Sequence, residues 1–384
     1  MGYDKEEPFV LIVDSHLDLS MNALQWNRDL LSSVYTIRAQ EAFTPGKGRG
    51  LGTVAFPEMR RGRIALSFAT VIARSTGRQE AHIDFATPAQ AYGIAKGQLA
   101  YYHALERQGH IRIIRDADAL RTHVTEWAGW DAEHPDMHVA DTPPLGFVMS
   151  MEGADPILDP ADLEEWRDGG LRLIGPTHYG PGRYAGGTGT EMGLTELGVR
   201  LLGEMERLEI GLDLTHCSDQ AFWEALSRFS GPVLASHNNC RVLVPHQRQF
   251  SDEQLRAIIE RDGVIGVALD CWMIKAGWRH GDNNEAVALA DIVPHIDHIC
   301  DIAGTSRHVA IGTDLDGGFG REGSPHDLDT IADLQTIARL LAGRGYNEQN
   351  ISAVMHGNWI RFLEQAWARR PHQAPTAGGA RAHR

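Results

Sequence analysis

Short apolar runs alternate along this chain with segments in which apolar residues recur every three or four positions. Residues 9–13 form the first run, and a long one spans 63–73. Beyond residue 140 the rhythm is regular, with strand-like runs at 145–150, 171–175, 211–215, 232–235, 264–269 and 308–311. A further strand is expected around Ile111. Helical periodicity fills the intervals at 87–108, 159–166, 194–208, 219–228, 255–261, most of 284–303, 327–343 and 348–369. Asp159 followed by Pro160, Thr195, Ser218 and the Ser251–Gln254 capping box mark helix starts. Strands alternating with helices imply a parallel sheet with crossover helices. The fold predicted is α/β, a (β/α)8 TIM-type barrel, with one or two of the nine strand candidates peripheral. Residues 1–8 read as an N-terminal extension, 9–369 as a single barrel domain and 370–384 as a disordered tail. The stretch 116–144, rich in Asp, His and Thr, reads as an irregular excursion.

Composition narrows the class of protein. At 384 residues with 42% hydrophobic side chains, the chain has ample material for a core. A formal charge of -15 argues against a nucleic-acid surface, which needs a basic stripe. Cys217, Cys240, Cys271 and Cys300 form no C-x-x-C pair, which points to a reducing compartment. The charged first residues lack a signal-peptide core, and no apolar run reaches the roughly 20 residues that span a bilayer. These features predict a soluble, cytoplasmic protein without a membrane or nucleic-acid partner.

The chemistry lies where the strands stop. His16 and Asp18 follow the first run two residues apart, a spacing that puts both side chains on one face of a strand. Taken alone, such a tripeptide is a common accident. Yet Glu152, His178, His216, His237, and Asp314 with Asp316, each follow a later strand candidate. In a (β/α)8 barrel those C-terminal ends form the active-site face, so the groups converge. His16, Asp18, Glu152, His216 and His237 supply one ligand more than a closed tetrahedral site needs, which favours two ions sharing Glu152. Mixed imidazole and carboxylate ligation without cysteine suits catalytic zinc. Two cations about 3.5–4 Å apart hold a bridging water and provide hydroxide near neutral pH. Asp314 would take its proton and pass it to the leaving nitrogen.

With these residues in view, the chain resembles the membrane (renal) dipeptidase family of zinc dipeptidases, in the amidohydrolase superfamily. The resemblance rests on 14–18, 150–153, 173–178, 193–198 with 204–208, 213–216, 235–237, 312–317 and the late Gly357-Asn-Trp-Ile-Arg361. It implies a binuclear zinc barrel, with His16, Asp18 and Glu152 on one ion and Glu152, His216 and His237 on the other. It implies Asp314 as acid/base, His178 as the residue that polarises the scissile carbonyl, and Arg248 as the holder of the substrate's terminal carboxylate. A planar guanidinium suits that last task. Homodimers occur among relatives, and the lack of leader and anchor signals resembles bacterial, cytosolic members.

Departures concentrate in one loop. After His178 this chain reads Tyr179-Gly-Pro-Gly-Arg183-Tyr184-Ala-Gly-Gly187, without the family's acidic residue, and Tyr184 is expected to touch substrate. Gln249 stands where asparagine is common. The expected function is hydrolysis of dipeptides, D-residues at the C-terminal side included. The altered loop keeps a zinc amidase, deacylase or lactonase acting on another metabolite as the alternative. A noncatalytic binding protein is a third reading, but it would be expected to have lost a ligand or Asp314.

Overall fold

A computed structural model of the protein describes residues 10–78, 80, 82–134 and 142–368. The extension at 1–8 and the tail at 370–384 lie outside the described residues. Nine strands are present among them: β1 Ile12–Leu17, β2 Ile64–Ile72, β3 Ile111–Ile113, β4 Leu145–Glu152, β5 Leu171–Gly175, β6 Gly211–Asp213, β7 Val233–Leu234, β8 Ile265–Val267 and β9 Val309–Ile311. Their ladders are parallel, in the order β1-β2-β4-β5-β6-β7, and a bridge from Ala235 to Ile265 leads on to the β8-β9 pair. β3 is the peripheral ninth strand, paired with residues 145–147 of β4, whereas β5 pairs with 149–152. Eight strands thus curl into a (β/α)8-type barrel.

Side chains close the seam between β9 and β1. Ser15 Oγ donates to the carbonyls of Ser236 (2.5 Å) and Ile311 (3.0 Å). Thr313 donates its N–H and hydroxyl to the two oxygens of Asp14, at 2.9 and 2.6 Å. These bonds need close backbone approach. A Cβ at Gly266 or Gly312 would lie 2.0 or 1.9 Å from the Ser236 carbonyl oxygen, so both positions require glycine.

This polar seam moves the first strand. The apolar pattern places it at 9–13, whereas β1 runs on through Asp14, Ser15 and His16. Asp14 and Ser15 belong inside this strand because each finds buried partners at or just past the ends of neighbouring ones. The pairing with β2 shifts register between Asp14 and Leu17, an irregularity of the kind that re-aims side chains beside active sites.

A second difference is the segment 116–144. Residues Ala117–Glu133 form a helix capped by Asp116, whose carboxylate accepts from Ala119 N at 2.8 Å. Leu120, His123, Trp127 and Trp130 bury one stripe of it. His123 hid the 3.6-residue period, because a polar residue stands in the buried stripe where the pattern needs an apolar one. Buried His123 carries Nε2 2.8 Å from the Ala65 carbonyl, making it part of the packing. Residues 135–141 lie outside the described set. Thr195, Ser218 and Ser251 each accept a bond from the first turn of their helices. No helix among the described residues is long and apolar enough to cross a membrane.

Candidate metal centre

Parallel strands point their C-terminal ends to one side, and the polar residues that follow them meet there. His16 lies within β1, Asp18 just past it, and Glu152 ends β4. His178, His216, His237 and Asp314 sit in the turns after β5, β6, β7 and β9. His216 and Asp314 hold left-handed backbone conformations (φ 66° and 60°), sharp turns that keep each side chain over the barrel mouth.

Glu152 is the centre of the cluster. Its Oε1 lies 3.6 Å from His16 Nε2, 3.7 Å from His178 Nε2, 3.3 Å from His216 Nε2 and 3.4 Å from His237 Nε2. His16 Nε2 is also 3.9 Å from Asp18 Oδ1 and 3.7 Å from Asp314 Oδ1. His16, Asp18 and Glu152 form one compact ligand group, Glu152, His178 and His216 a second, and His16, His237 and Asp314 a third.

Outer partners aim these groups inward. His237 Nδ1 meets Ser236 Oγ at 2.9 Å, and His216 Nδ1 meets Thr188 Oγ1 at 3.1 Å, leaving both Nε2 atoms for the centre. Thr70 donates its hydroxyl to Asp18 Oδ1. Arg74 Nη1 lies 3.2 Å from His178 Nδ1. Arginine has no acceptor, so Nδ1 accepts and the imidazole proton of His178 sits on Nε2. Burial, then the nearby Arg74 and Arg248 charges, hold the His178 pKa down at about 3 against the pull of Glu152, so this imidazole is neutral.

The donor set fits divalent metal. His16 Nε2 and Glu152 Oε1 are buried without a hydrogen-bond partner, in a place where an unpaired polar atom is costly. Burial alone would lower the pKa of His16, but Glu152, Asp18 and Asp314 together lift it to about 10. Burial, reinforced by Glu152 and Asp18, drives Asp314 well above the carboxylate range. So many acids packed together call for positive charge among them.

Above the cluster lies a cavity of about 870 Å³, lined by Asp18, Glu152, His178, His216, Arg248 and Asp314 among others. His16 and His237 sit beneath it, each 1% exposed. Arg248 is held by neutral groups: Nη1 donates to Asn238 Oδ1 (2.6 Å), Nη2 to the His237 carbonyl (2.9 Å), and Nε has no partner. Its charge is therefore available to a ligand. Gln249 braces the same turn, accepting from Asn239 N at 3.1 Å and donating to the Met273 carbonyl at 2.9 Å.

Tyr184 is not brought to this cavity. Its ring is buried in the core and its hydroxyl donates to the Ile157 carbonyl at 2.5 Å. Arg183 likewise points away, donating to the Asp155 and Ile157 carbonyls. Tyr179 is the loop's contribution instead, lining the cavity with its ring 4.9 Å from that of His216. Tyr184→Phe should cost about 1–2 kcal/mol of stability through the lost buried bond, with kcat and KM unchanged. Thermal melts beside steady-state kinetics check this; a raised KM would return Tyr184 to the substrate. Arg74, Tyr179, Asp270 and Trp272 are cavity residues that the sequence reading missed, although Arg74 just past β2 and Asp270 three residues past β8 share the strand-end placement of the ligand candidates, whereas Tyr179 and Trp272 carry no such signal.

A (β/α)8-type barrel with a buried imidazole–carboxylate cluster at its mouth defines a metal-dependent hydrolase. The sequence profile of the membrane dipeptidases (peptidase family M19) matches residues 8–375, and the chain belongs to that family. An uncharacterised protein encoded in the pqqA 5' region of Klebsiella pneumoniae is 32% identical over 232 residues, covering 58% of this chain and 83% of that protein. Dipeptidase aclJ of Aspergillus oryzae is 25% identical over 317 residues, 81% of this chain and 69% of its own length. Among solved structures, the metallopeptidase dipeptidase AC superposes with a TM-score of 0.74 at 25% identity, covering 94% of this chain and 99% of its own. A Rhodobacter sphaeroides metallopeptidase, liganded with a phosphinate mimic of the dipeptide L-Ala-D-Ala, gives 0.72 at 25% identity over 94% of this chain and 100% of its own.

Proposed function

We propose that the chain is a binuclear zinc dipeptidase. The observation that carries this reading is the single carboxylate oxygen of Glu152 ringed by four imidazole nitrogens at the floor of a cavity. His16, Asp18 and Glu152 would hold one ion, and Glu152, His216 and His237 the other. When bound, the pair supplies an acidified water as nucleophile and polarises the scissile carbonyl.

The chain's own residues perform the remaining work. Arg248 pairs with the terminal carboxylate of the dipeptide and sets its register. His178 donates Nε2–H to the carbonyl oxygen as it becomes an oxyanion, in the tautomer that Arg74 enforces. Asp314 accepts the proton of the attacking water and delivers it to the departing amine, so the bond breaks to two amino acids. The ligand of the Rhodobacter enzyme supports including D-residues at the C-terminal position.

A dipeptide library with L and D C-terminal residues, run against zinc-loaded enzyme, tests the reading by release of free amino acids. Turnover of N-acylated amides or lactones with none on any dipeptide would instead establish the amidase, deacylase or lactonase alternative. A narrower expectation concerns Arg248. Arg248→Lys keeps the charge but loses the two-pronged geometry, so KM should rise about tenfold or more with little change in kcat. Equal loss on dipeptide amides, which lack the carboxylate, would contradict that role.

A further inference from the structure

The wall that carries Arg248 continues away from the metal cluster into a pocket of different character. Arg248 N donates to His246 Nδ1 at 3.0 Å, and the His246 ring meets Trp272 edge-on at 5.1 Å. Trp272 meets His280 at 6.4 Å, and His280 Nε2 lies 3.5 Å from Asp270 Oδ2. All of these residues line the same cavity.

Asp270 is 5% exposed, and its Oδ1 makes no hydrogen bond of ordinary geometry. The backbone and indole N–H groups of Trp272 come near enough to temper its charge without satisfying it. Burial pushes its carboxyl up to about 7. His280 does not neutralise it: burial, then Lys47, holds that imidazole down at about 4. The cations that reach Asp270 are Lys47, exposed on a loop, and Arg248. An exposed lysine is a weak partner, and Arg248 has its own anion to meet. A buried carboxylate with a free oxygen in a cavity wall is a receptor for an ammonium or guanidinium.

We propose that Asp270, walled by Trp272 and His280, receives the cationic side chain of the residue whose carboxylate Arg248 holds. The preferred substrates are then dipeptides with a lysine- or arginine-like C-terminal residue. The inference rests on the dipeptidase reading above and adds the substrate class.

The test compares Ala-Lys with Ala-norleucine, which has the same stem without the charge, in wild type and in Asp270→Asn. Wild type should favour Ala-Lys by about tenfold or more in kcat/KM, the scale of one charge-assisted bond. Asp270→Asn should bring the ratio near one while Ala-norleucine turnover stays within about threefold. A wild-type ratio near one, or equal loss on both substrates in the variant, overturns the subsite. Calorimetric binding of free L-lysine against L-norleucine to the zinc-loaded protein separates the two readings. Lysine preference that depends on Asp270, without hydrolysis of any dipeptide, removes the dipeptidase reading and keeps the cation subsite. Dipeptide hydrolysis without charge preference does the reverse, and failure of both removes both.

Discussion

Asp314→Asn should lower kcat on dipeptides by about a thousandfold, within the range for removing a positioned acid/base, while KM stays within a few-fold. Asp314 lines the cavity, with Oδ1 3.7 Å from His16 Nε2 and a side chain 16% exposed. Asp18 is closer to a fixed ligand, because Thr70 donates to it and it lies almost wholly buried. Both carboxylates line the cavity, and the greater exposure of Asp314 is what favours it as the proposed proton carrier. Asparagine keeps its size and tolerates the left-handed backbone that Asp314 adopts at φ 60°. Fold and zinc content should therefore survive, and metal analysis with a thermal melt would show it. Undiminished turnover with full zinc content would take Asp314 out of the mechanism.

Much of this site was legible because metal ligands and barrel strands obey one periodicity. His16, Glu152, His178, His216, His237 and Asp314 stand at or just past the ends of six strands, and a parallel sheet turns that linear spacing into a spatial cluster. Helix caps were legible for a local reason, since Thr195, Ser218 and Ser251 bond within their own first turns. What was lost depends on tertiary partners. The polar end of β1 looks like a strand stop until Ser236, Ile311 and Thr313 are seen to satisfy Ser15 and Asp14. The helix Ala117–Glu133 hides its stripe because a buried histidine stands where an apolar residue would announce it. Tyr184 shares a loop with Tyr179, and one-dimensional proximity to His178 cannot tell which ring turns to the cavity and which to the Ile157 carbonyl. Arg74 reaches His178 from the far end of β2, a contact no local pattern encodes.

Glu152→Gln should abolish activity, by about ten-thousandfold or more, through loss of metal rather than loss of a proton carrier. The introduced amide would preserve shape but present one neutral oxygen where the wild-type carboxylate can bridge two cations. The four imidazoles within 3.3–3.7 Å of Oε1 would then surround no negative charge. In the proposed two-ion site the neighbouring cations would repel each other strongly at low dielectric, and a shared anion would offset that repulsion. On the binuclear zinc reading proposed above, zinc content should fall from two per chain to one or none, with Asp18 and the histidines too few to hold both. Because an ion that binds only the folded chain stabilises it, chelation should lower the melting temperature of wild type by several degrees. That shift should shrink in Glu152→Gln, whose melt in chelator should resemble its melt in zinc. The two variants separate the roles: Asp314→Asn leaves a loaded, stable, inactive enzyme, and Glu152→Gln leaves an inactive one that has lost its response to metal. Retention of two zincs in Glu152→Gln would show that the bridge lies elsewhere in the cluster, with Asp314 the next carboxylate within reach of His16 and His237.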